Sequence, residues 1–370
     1  MRERRGLRSL GVASVIALLA TGCSVQGPVG DKAGGAPGGP VVLRMALISS
    51  GPLRDAARVF ASEAMSLSAG NIRIEPIFEW GSFTRSAEQQ VLLAVSADTV
   101  DLGIVQTGVF DTMKNDSFRA LLAPMLVDSY RLQGAILRSD ITHQMLDGLM
   151  KNGVVGLAML AGTLLKPVGV EKPLLRPDDW RDITFGTFLS EGQMAAIRAV
   201  GATPRAAYGS FRWRLLTLGQ LQGYAFGLAL YKYNLPQTAM LSPYITANVT
   251  LWPWMQLLVA NPDRLATLTP QQLSWLEEAA KEASSRSPAL AESERGLTTL
   301  LCNEGVRFAN ASKDDLAWLR RVFAPLYARL EQDPQTKSFI TQIRALKGSI
   351  APDPPLVIQR GCLIGRHRRG

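Results

Sequence analysis

The sequence predicts an α/β protein of two lobes, with a ligand cleft between them and a helical C-terminal region. The first observation is size, because 370 residues, 47% of them apolar, provide enough material for two hydrophobic cores. The second is that short apolar strands alternate with amphipathic helices from residue 41 onwards, which favours sheets rich in parallel strands. The third is continuous helical periodicity from about residue 261.

Residues 1–22 have the pattern of an export signal. The basic segment MRERRGLRSL precedes the apolar run GVASVIALLA, and small residues then precede Cys23. A membrane-spanning helix is the alternative, although the run is short for one. ATGC at residues 20–23 resembles the lipobox of bacterial lipoproteins, in which the cysteine is lipidated, and simple secretion is the alternative. We therefore expect a protein anchored by lipid on Cys23 at the outer face of the cytoplasmic membrane.

Two segments flank the part of the chain that is predicted to fold. Residues 23–40 contain SVQGPVGDKAGGAPGGP, whose Gly and Pro content predicts a flexible tether. Residues 349–370 form a basic tail that contributes to the net charge of +9. A basic tail is usually solvated or lies near anionic lipid, and no nucleic-acid-binding motif accompanies it. No nucleic-acid partner is expected.

Between these segments, residues 41–348 are predicted to fold in three parts. These are a first lobe over about 41–150, a second lobe over about 151–260 and C-terminal helices over 261–348 that pack across both. Apolar runs bounded by turn residues predict the strands, in chain order VVLRMALI, IRIEPIF, VDLGIVQ, GVVGLAML and DITFGTF. An early helix is predicted to end at Gly70, and a late one to begin near Pro270. QLQGYAFG at residues 220–227 is predicted to be a turn.

The cysteines predict a disulfide. With Cys23 assigned to lipid, Cys302 and Cys362 remain as an even pair in an exported protein. Closing a loop of about 60 residues contributes roughly 4 kcal/mol to stability in the chain-entropy model. Two unpaired thiols, with Cys302 buried in a helix, are the alternative.

Catalytic motifs are absent from the sequence. It has two histidines, His143 and His367, and no nucleophile elbow, phosphate-binding loop or spaced set of metal ligands. Adjacent carboxylates such as Asp178 and Asp179 are expected on solvated helix faces or caps. We therefore predict a protein that is not an enzyme and has neither cofactor nor metal.

A series of short segments occurs in a consistent order over residues 41–348: VFASEAMSLSAGNIRIEPI, VDLGIVQTG, FRALLAPML, EKPLLRPDDWRDITFGT, AVGATP, LGQLQG and LTPQQLSWLEEAAKEA. This order resembles the DctP-like solute-binding proteins of TRAP transporters. The resemblance implies a periplasmic-binding-protein-like fold and an extracytoplasmic receptor that delivers a small organic solute to membrane permease subunits. A ligand-sensing lipoprotein, or an ABC-type receptor without a TRAP partner, is the alternative.

The sequence departs from the family at the positions that bind carboxylates. In the family, an arginine on the strand after the Asp-Leu-x-Gly turn holds a substrate carboxylate with two parallel hydrogen bonds, and Gly186 occupies that position here. A second family arginine aligns with Lys166, which keeps the charge. We therefore expect a small organic solute that is carboxylate-bearing or less charged, and bulkier than a C4-dicarboxylate, with Lys166 providing at most one ionic contact.

Other candidate ligand contacts are aromatic or lie at strand ends. Tyr208 resembles an aromatic residue that lines the cleft in the family, and Trp252 or Trp254 in TLWPWMQ could stack on a ring or sugar. In each case a structural role is the alternative: a core position for Trp252, a solvated surface for Lys166 and close strand packing for Gly186. The predicted ligand-binding residues are Lys166, Tyr208, Trp252, Trp80, Gln106, Phe185, Gly186 and Phe226.

Overall fold

The computed structural model describes residues 39–48, 52–292 and 296–364. The predicted export signal, Cys23 and most of the predicted tether lie outside the described residues, as does the end of the basic tail. Within the described residues, no helix is both long enough and apolar enough to cross a membrane.

The chain forms two β-sheets surrounded by helices. The strands are β1 (Val41–Leu47), β2 (Ile72–Ile77), β3 (Leu102–Gln106), β4 (Val155–Leu160), β5 (Leu164–Gly169), β6 (Thr184–Thr187), β7 (Thr203–Ala206), β8 (Gly223–Phe226), β9 (Tyr244–Thr246), β10 (Trp252–Pro253), β11 (Gln256–Ala260) and β12 (Arg307–Ala309). The α-helices are α1 (Pro52–Leu67), α2 (Ala87–Ser96), α3 (Val109–Thr112), α4 (Tyr130–Leu137), α5 (Asp140–Leu146), α6 (Pro177–Trp180), α7 (Glu191–Ala199), α8 (Gly209–Thr217), α9 (Leu228–Tyr233), α10 (Gln237–Leu241), α11 (Pro262–Ala266), α12 (Pro270–Glu292), α13 (Leu297–Asn303), α14 (Lys313–Leu330) and α15 (Pro334–Ser349). Short 3-10 helices cover Trp80–Phe83, Asp116–Leu122, Asp147–Asn152 and Arg360–Cys362.

The first sheet has the strand order β2-β1-β3-β11-β4, and the second has the order β12-β9-β5-β8-β6-β7 with β10 beside β5. The central strand β3 is buried along its whole length. Its Gly103 permits a close approach of α2, because a Cβ atom there would lie 2.8 Å from a methyl of Val95 and 2.9 Å from one of Val91. Each sheet thus supports one lobe, as the sequence predicts.

Both sheets are mixed: each contains parallel pairs, as predicted, together with antiparallel ones. Strand β11 runs antiparallel to β3 and β4, and β5 runs antiparallel to β8, β9 and β10. The parallel pairs are β1 with β2 and β3, β6 with β7 and β8, and β9 with β12. The antiparallel strands lie where the chain passes between the sheets, because such a strand enters its sheet without the helical crossover that parallel pairing requires.

The chain passes between the two sheets near residues 150 and 260, where the lobe boundaries are predicted. Strands β4 (155–160) and β11 (256–260) both pair in the first sheet. The predicted turn at residues 220–227 contains β8, a buried strand between β5 and β6. Its residues YAF are apolar and form a strand because both neighbouring strands hydrogen-bond to it.

The C-terminal helices contact elements of both lobes. Helix α12 packs on α1 and β4, and its Ser287 Oγ accepts a 2.7 Å hydrogen bond from the backbone N–H of Ala161. Helix α13 packs on α9, and α14 packs on α7. The hydroxyl of Tyr327 on α14 donates to the carbonyl of Pro124, at 2.8 Å. These helices therefore bridge the two sheets.

The described part of the tail returns to the second sheet. Asp353 accepts a 2.7 Å hydrogen bond from the backbone N–H of Tyr130, and the backbone N–H of Ile364 donates to Phe308 in β12, at 2.8 Å. The Cα atoms of Cys302 and Cys362 lie 5.7 Å apart, with their side chains facing each other. This Cα separation is ordinary for a disulfide.

Candidate ligand-binding site

A cavity of about 240 Å³ opens beside the second sheet, and we call it the inter-lobe cavity. It is lined by Tyr208, Gly209, Ser210, Arg212, Trp213, Phe226, Leu230, Asn234 and Trp254. A smaller void of about 20 Å³ shares Leu230 and Trp254 with it and reaches Ala56 on α1. The cavity therefore lies at the boundary of the two lobes, where this fold class binds its ligands.

Local geometry directs the lining residues into this space. Gly209 has a φ of 52°, so the chain turns sharply from β7 into α8 at a residue that tolerates this conformation. The turn presents Tyr208 at the start of α8, and Arg212 follows one helical turn later. Trp254 lies between β10 and β11, on the strand pair that carries the chain back to the first lobe. Three separate segments thus converge on one space.

Aromatic rings form one wall of the inter-lobe cavity. The ring of Phe188, which follows β6, lies 5.2 Å from the rings of both Tyr208 and Trp254. On the other side, the ring of Trp213 meets Phe226 edge-on at 6.4 Å. Such packing holds flat apolar surfaces in fixed orientations, which suits contact with the apolar part of a small organic molecule.

Arg212 is the charged residue in this wall. It is 6% exposed, and its Cζ lies 4.2 Å from the ring centroid of Phe226, 5.0 Å from Trp213 and 5.2 Å from Tyr224. Burial lowers the pKa of the guanidinium. Within the described part of the chain, Arg212 Nε is buried without a hydrogen-bond partner, and so is Trp254 Nε1. Two donors on the cavity wall therefore lack an acceptor from the protein.

A buried carboxyl group from the first lobe lies near this site. Glu88 on α2 accepts a 3.0 Å hydrogen bond from the backbone N–H of Gln106, and burial raises its pKa to about 8. Burial raises the pKa of the Tyr208 hydroxyl well above its usual value, and the charge of Glu88 raises it further. At neutral pH the Glu88 carboxyl is therefore mostly protonated and offers little negative charge against the cation of Arg212.

Two larger cavities lie elsewhere. One of about 840 Å³ is lined by residues of α4, α5, β4 and α12, and one of about 580 Å³ lies between residues 124–128 and helices α14 and α15. Among the described residues that line them, no side-chain donor or acceptor is buried without a partner. Of these three cavities, the inter-lobe cavity is the one whose described lining includes buried donors without a partner.

The predicted ligand residues divide between the cavity and the core. Tyr208 and Phe226 line the inter-lobe cavity. Phe185 is fully buried against Trp180, with ring centroids 5.3 Å apart, and does not line it. Gly186 lies behind the wall, because a Cβ atom there would meet the Cβ of Tyr224 at 3.2 Å. The structural alternative for Gly186, close packing, agrees with this position.

Lys166 and Trp252 make protein contacts. Lys166 Nζ donates to the carbonyl of Ala247, at 2.8 Å, and burial lowers the pKa of the ammonium to about 8. The indole N–H of Trp252 donates to the carbonyl of Leu122, at 2.9 Å, and the side chain has no exposed surface. Neither is among the described residues that line the inter-lobe cavity. Both therefore connect parts of the fold.

Trp80 and Gln106 belong to the first lobe. Trp80 begins a short 3-10 helix after β2 and is half-buried against the hydrophobic core that includes residues of β3, β11 and α2. Gln106 ends β3 and is buried beside Glu88. Neither is brought to the described wall of the inter-lobe cavity, although the Gln106 backbone positions the Glu88 carboxyl.

Sequence reasoning did not identify Arg212, and of the two tryptophans in TLWPWMQ it favours Trp252 over Trp254. Arg212 occupies a buried position of α8 together with Leu215 and Leu216, so the signal was a charged residue at apolar helical spacing. In TLWPWMQ, Trp252 was chosen although Trp254 faces the cavity. Sequence alone did not distinguish them, because Trp252 lies in β10 while Trp254 lies just beyond that strand.

The chain crosses between two lobes at β4–β5 and β10–β11, and a cavity lies beside the second crossing. This architecture is that of a solute-binding receptor. The family model for the bacterial extracellular solute-binding proteins, family 7 (DctP), matches residues 45–333. The chain belongs to this family, which confirms the predicted resemblance to DctP-like solute-binding proteins of TRAP transporters. Extracytoplasmic solute binding, the predicted role, is the role of the family. No protein with a curated description matches the chain.

Solved structures confirm the fold. The sugar acid-binding protein DctPAm from Advenella mimigardefordensis, in complex with galactonate, has a TM-score of 0.75 at 15% identity, and the match covers 83% of this chain and 99% of that one. DctP7 from Bordetella pertussis, which binds pyroglutamic acid, has a TM-score of 0.74 at 17% identity over 82% and 99%. A TRAP periplasmic solute-binding protein from Shewanella oneidensis, with bound succinate, has a TM-score of 0.73 at 17% identity over 83% and 99%.

Proposed function

We propose that this protein captures a small organic solute in the inter-lobe cavity and delivers it to the membrane permease subunits of a TRAP-type transporter. The observation that carries the proposal is the pair of buried, unpartnered donors, Arg212 Nε and Trp254 Nε1, on the wall of a cavity at the lobe boundary. A solute with an acceptor oxygen satisfies donors that the protein leaves unpaired. The cavity, at about 240 Å³, is smaller than pockets for drug-sized molecules, so a compact metabolite fits best.

The neighbouring proteins support an acidic solute. Galactonate, pyroglutamic acid and succinate, bound by the three proteins above, are all carboxylic acids. The aromatic wall of this cavity favours a solute that also presents an apolar face. A solute with both features falls within the class predicted from Gly186, Lys166 and Phe226, and Arg212 adds a cation that the sequence prediction did not include.

Titration calorimetry tests this function. The mature protein is titrated with galactonate, succinate, pyroglutamate and a set of neutral sugars, and at least one of them is expected to bind with micromolar affinity. Trp254→Phe removes the indole donor and is expected to weaken binding about tenfold. Trp275→Phe on α12, outside the cavity, is the matched control. Equal affinities of both variants and the wild type would place the solute elsewhere.

We further propose that the receptor is held at the outer face of the cytoplasmic membrane by lipid on Cys23. The support is the sequence ATGC after a short apolar run, followed by a Gly- and Pro-rich segment. Fractionation of cells that express Cys23→Ser is expected to move the protein from the membrane to the soluble fraction. Membrane association that survives this substitution would leave simple anchoring by an uncleaved helix as the explanation.

The Cys302–Cys362 disulfide is the third part of the proposal. The two sulfur atoms lie together in the structure, and an exported protein meets an oxidising environment. The bond would tie α13 to the end of the described tail, where Leu363 already pairs with Phe308. The tail would then be held against the second lobe near β12.

A further inference from the structure

A buried arginine reaches the region from which the family's carboxylate-binding arginine is missing. Gly186 on β6 lies in the family position, and a Cβ atom there would contact Tyr224 at 3.2 Å and Ala207 at 3.4 Å. The Arg212 guanidinium, from α8, lies 5.2 Å from the ring of the same Tyr224. Gly186 of β6 and Arg212 of α8 thus both lie next to Tyr224 of β8, and of these two residues Arg212 is the cation.

The surroundings of Arg212 differ from those of the structural arginines in this chain. Arg264, for example, also has a buried Nε without a well-aligned hydrogen bond, but that atom lies 2.9 Å from Asp101 Oδ1 in an ion pair, and Nη2 donates to the carbonyl of Val42. Among the described residues, Arg212 forms no ion pair with a carboxylate, and its Nε atom is buried without a hydrogen-bond partner; the residue is 6% exposed. Its contacts are the faces of Trp213, Tyr224 and Phe226. Aromatic faces offset only part of the cost of burying a cation.

We propose that Arg212 is the carboxylate anchor of this receptor, taking from α8 the role that β6 lacks, and that the solute is an organic monocarboxylate with an apolar body. This inference rests on the proposed function and specifies its solute class. The guanidinium offers parallel donors that match a carboxylate, and Trp254 Nε1 offers one more donor on the same wall. The aromatic rings contact the rest of the solute.

The charge count of the cavity favours one carboxylate over two. Among the described residues that line it, Arg212 alone is ionised. Lys166, the other predicted cation, donates to Ala247 and does not line the cavity. Glu88 approaches from the first lobe and is mostly protonated at neutral pH, so it does not repel one carboxylate. A second carboxylate would be desolvated without a cation, and a dicarboxylate such as succinate is therefore disfavoured.

Matched ligand pairs test the anchor. Pyroglutamate and its primary amide, and phenylacetate and phenylacetamide, are titrated into the wild type, Arg212→Gln, Arg212→Lys and Arg214→Gln. The acids are expected to bind more tightly than their amides, and Arg212→Gln is expected to weaken acid binding 10- to 100-fold and to abolish the preference for the acid. Arg212→Lys keeps the positive charge but not the two parallel N–H donors of the guanidinium, so its loss of affinity for the acids is expected to be smaller. Arg214 is an exposed residue of the same helix, and its substitution is the control.

The outcomes separate this inference from the proposed function. If neutral solutes or amides bind as well as acids, and Arg212→Gln leaves their affinity unchanged, the receptor function stands and the anchor is wrong. If none of these solutes or those of the calorimetric panel binds, the proposed solute class fails as well. If the acids bind and the Gln variant loses them while Arg214→Gln does not, the anchor is supported.

A measurement without ligand gives an independent decision. If Arg212 serves to bind the ligand, Arg212→Met is expected to leave the thermal unfolding midpoint of the ligand-free protein unchanged or to raise it. The reason is that an unpaired buried cation is replaced by an apolar side chain of similar length. If Arg212 instead stabilises the packing, Arg212→Met is expected to lower that midpoint markedly. This result would overturn the proposal whatever the titrations with acids and amides show. Arg214→Met is the matched control.

Discussion

Asp111 on the first lobe holds Ser190 on the second. The Oδ2 atom of Asp111, at the end of α3, accepts hydrogen bonds from the Ser190 hydroxyl and from the Gly192 backbone N–H, both at 2.9 Å. The carboxylate thus meets the N-terminus of α7, where free backbone donors and the helix dipole favour negative charge. Because the Asp111 side chain is 7% exposed, this link is shielded from solvent. It is a direct polar connection between the lobes.

Removing the charge of Asp111 is expected to loosen this connection. Asp111→Asn keeps the shape but replaces charge-assisted hydrogen bonds with weaker ones, so the free energy of unfolding falls by about 1 to 3 kcal/mol. Urea denaturation measures the change. Asp178→Asn is the control, because the Asp178 side chain is 81% exposed and its ion pair with Arg181 lies at the surface. Equal stability of the two variants would mean that the link contributes nothing.

An arginine introduced at Gly186, the position of the family arginine, is expected to destabilise the protein without creating a carboxylate site. The added Cβ would lie 3.2 Å from Tyr224, 3.3 Å from Leu221 and 3.4 Å from Ala207, and the long side chain would have to displace these neighbours. Gly186→Arg is therefore expected to lower the unfolding free energy by about 1 to 3 kcal/mol or more, and not to create succinate binding. Thermal unfolding and calorimetry measure both effects.

A smaller substitution separates size from charge at this position. Gly186→Ala adds only the Cβ atom, which requires shifts of a few tenths of an ångström, so its cost is expected to be well below that of the arginine. If Gly186→Arg were as stable as the wild type and bound succinate tightly, the β6 position would be open to the ligand after all.

Local patterns in the sequence predicted most elements correctly. The run VDLGIVQ predicted a buried strand, and β3 occupies Leu102–Gln106 with every residue buried. The helix predicted to end at Gly70 ends at Leu67, followed by a turn in which Gly70 has a φ of 84°. Pro270 begins α12, as predicted. These features are set by residues close in sequence, which is why periodicity and end signals suffice.

Features that depend on distant residues could not be predicted in the same way. The direction of β11 and the return of the chain to the first sheet follow from pairing with β3 and β4, over 90 residues away in sequence. The position of Arg212 in an aromatic cavity wall depends on three segments that meet only in the folded chain. Fold class was therefore accessible from sequence and family, whereas the composition of the cavity required the structure.

The proposed disulfide is expected to stabilise the protein measurably. The bond would close a loop across a sequence separation of 60, so the Cys302→Ser, Cys362→Ser double variant is expected to lose about 2 to 4 kcal/mol of unfolding free energy. Urea denaturation of the oxidised wild type and the double variant measures the difference, and the reduced wild type is the control. Alkylation of both thiols in the denatured, unreduced mature protein would show that no bond forms.

Glu88 is expected to make the protein less stable as the pH rises. Its pKa is about 8 in the folded protein against 4.5 when solvated, so between these values the unfolded chain releases a proton that the folded state retains. The contribution of Glu88 to stability is thus complete below about pH 4.5 and is lost as the pH rises towards 8. It amounts to roughly 3 to 5 kcal/mol. Lys166, whose pKa is lowered from 10.5 to about 8, makes the stability depend on pH mainly above this window, because the folded and unfolded states differ in its protonation only there.

The variant Glu88→Gln carries a permanently neutral group of the same shape, and it keeps an acceptor for the Gln106 N–H. It is therefore expected to match the wild type near pH 4.5 and to exceed its unfolding free energy at pH 8, so that the difference between them grows with pH. Urea denaturation at half-unit steps from pH 4.5 to 8 measures this difference. Glu278→Gln, an exposed residue on α12, should follow the wild type throughout. Parallel pH profiles for Glu88→Gln and the wild type would show that Glu88 ionises normally in the folded protein.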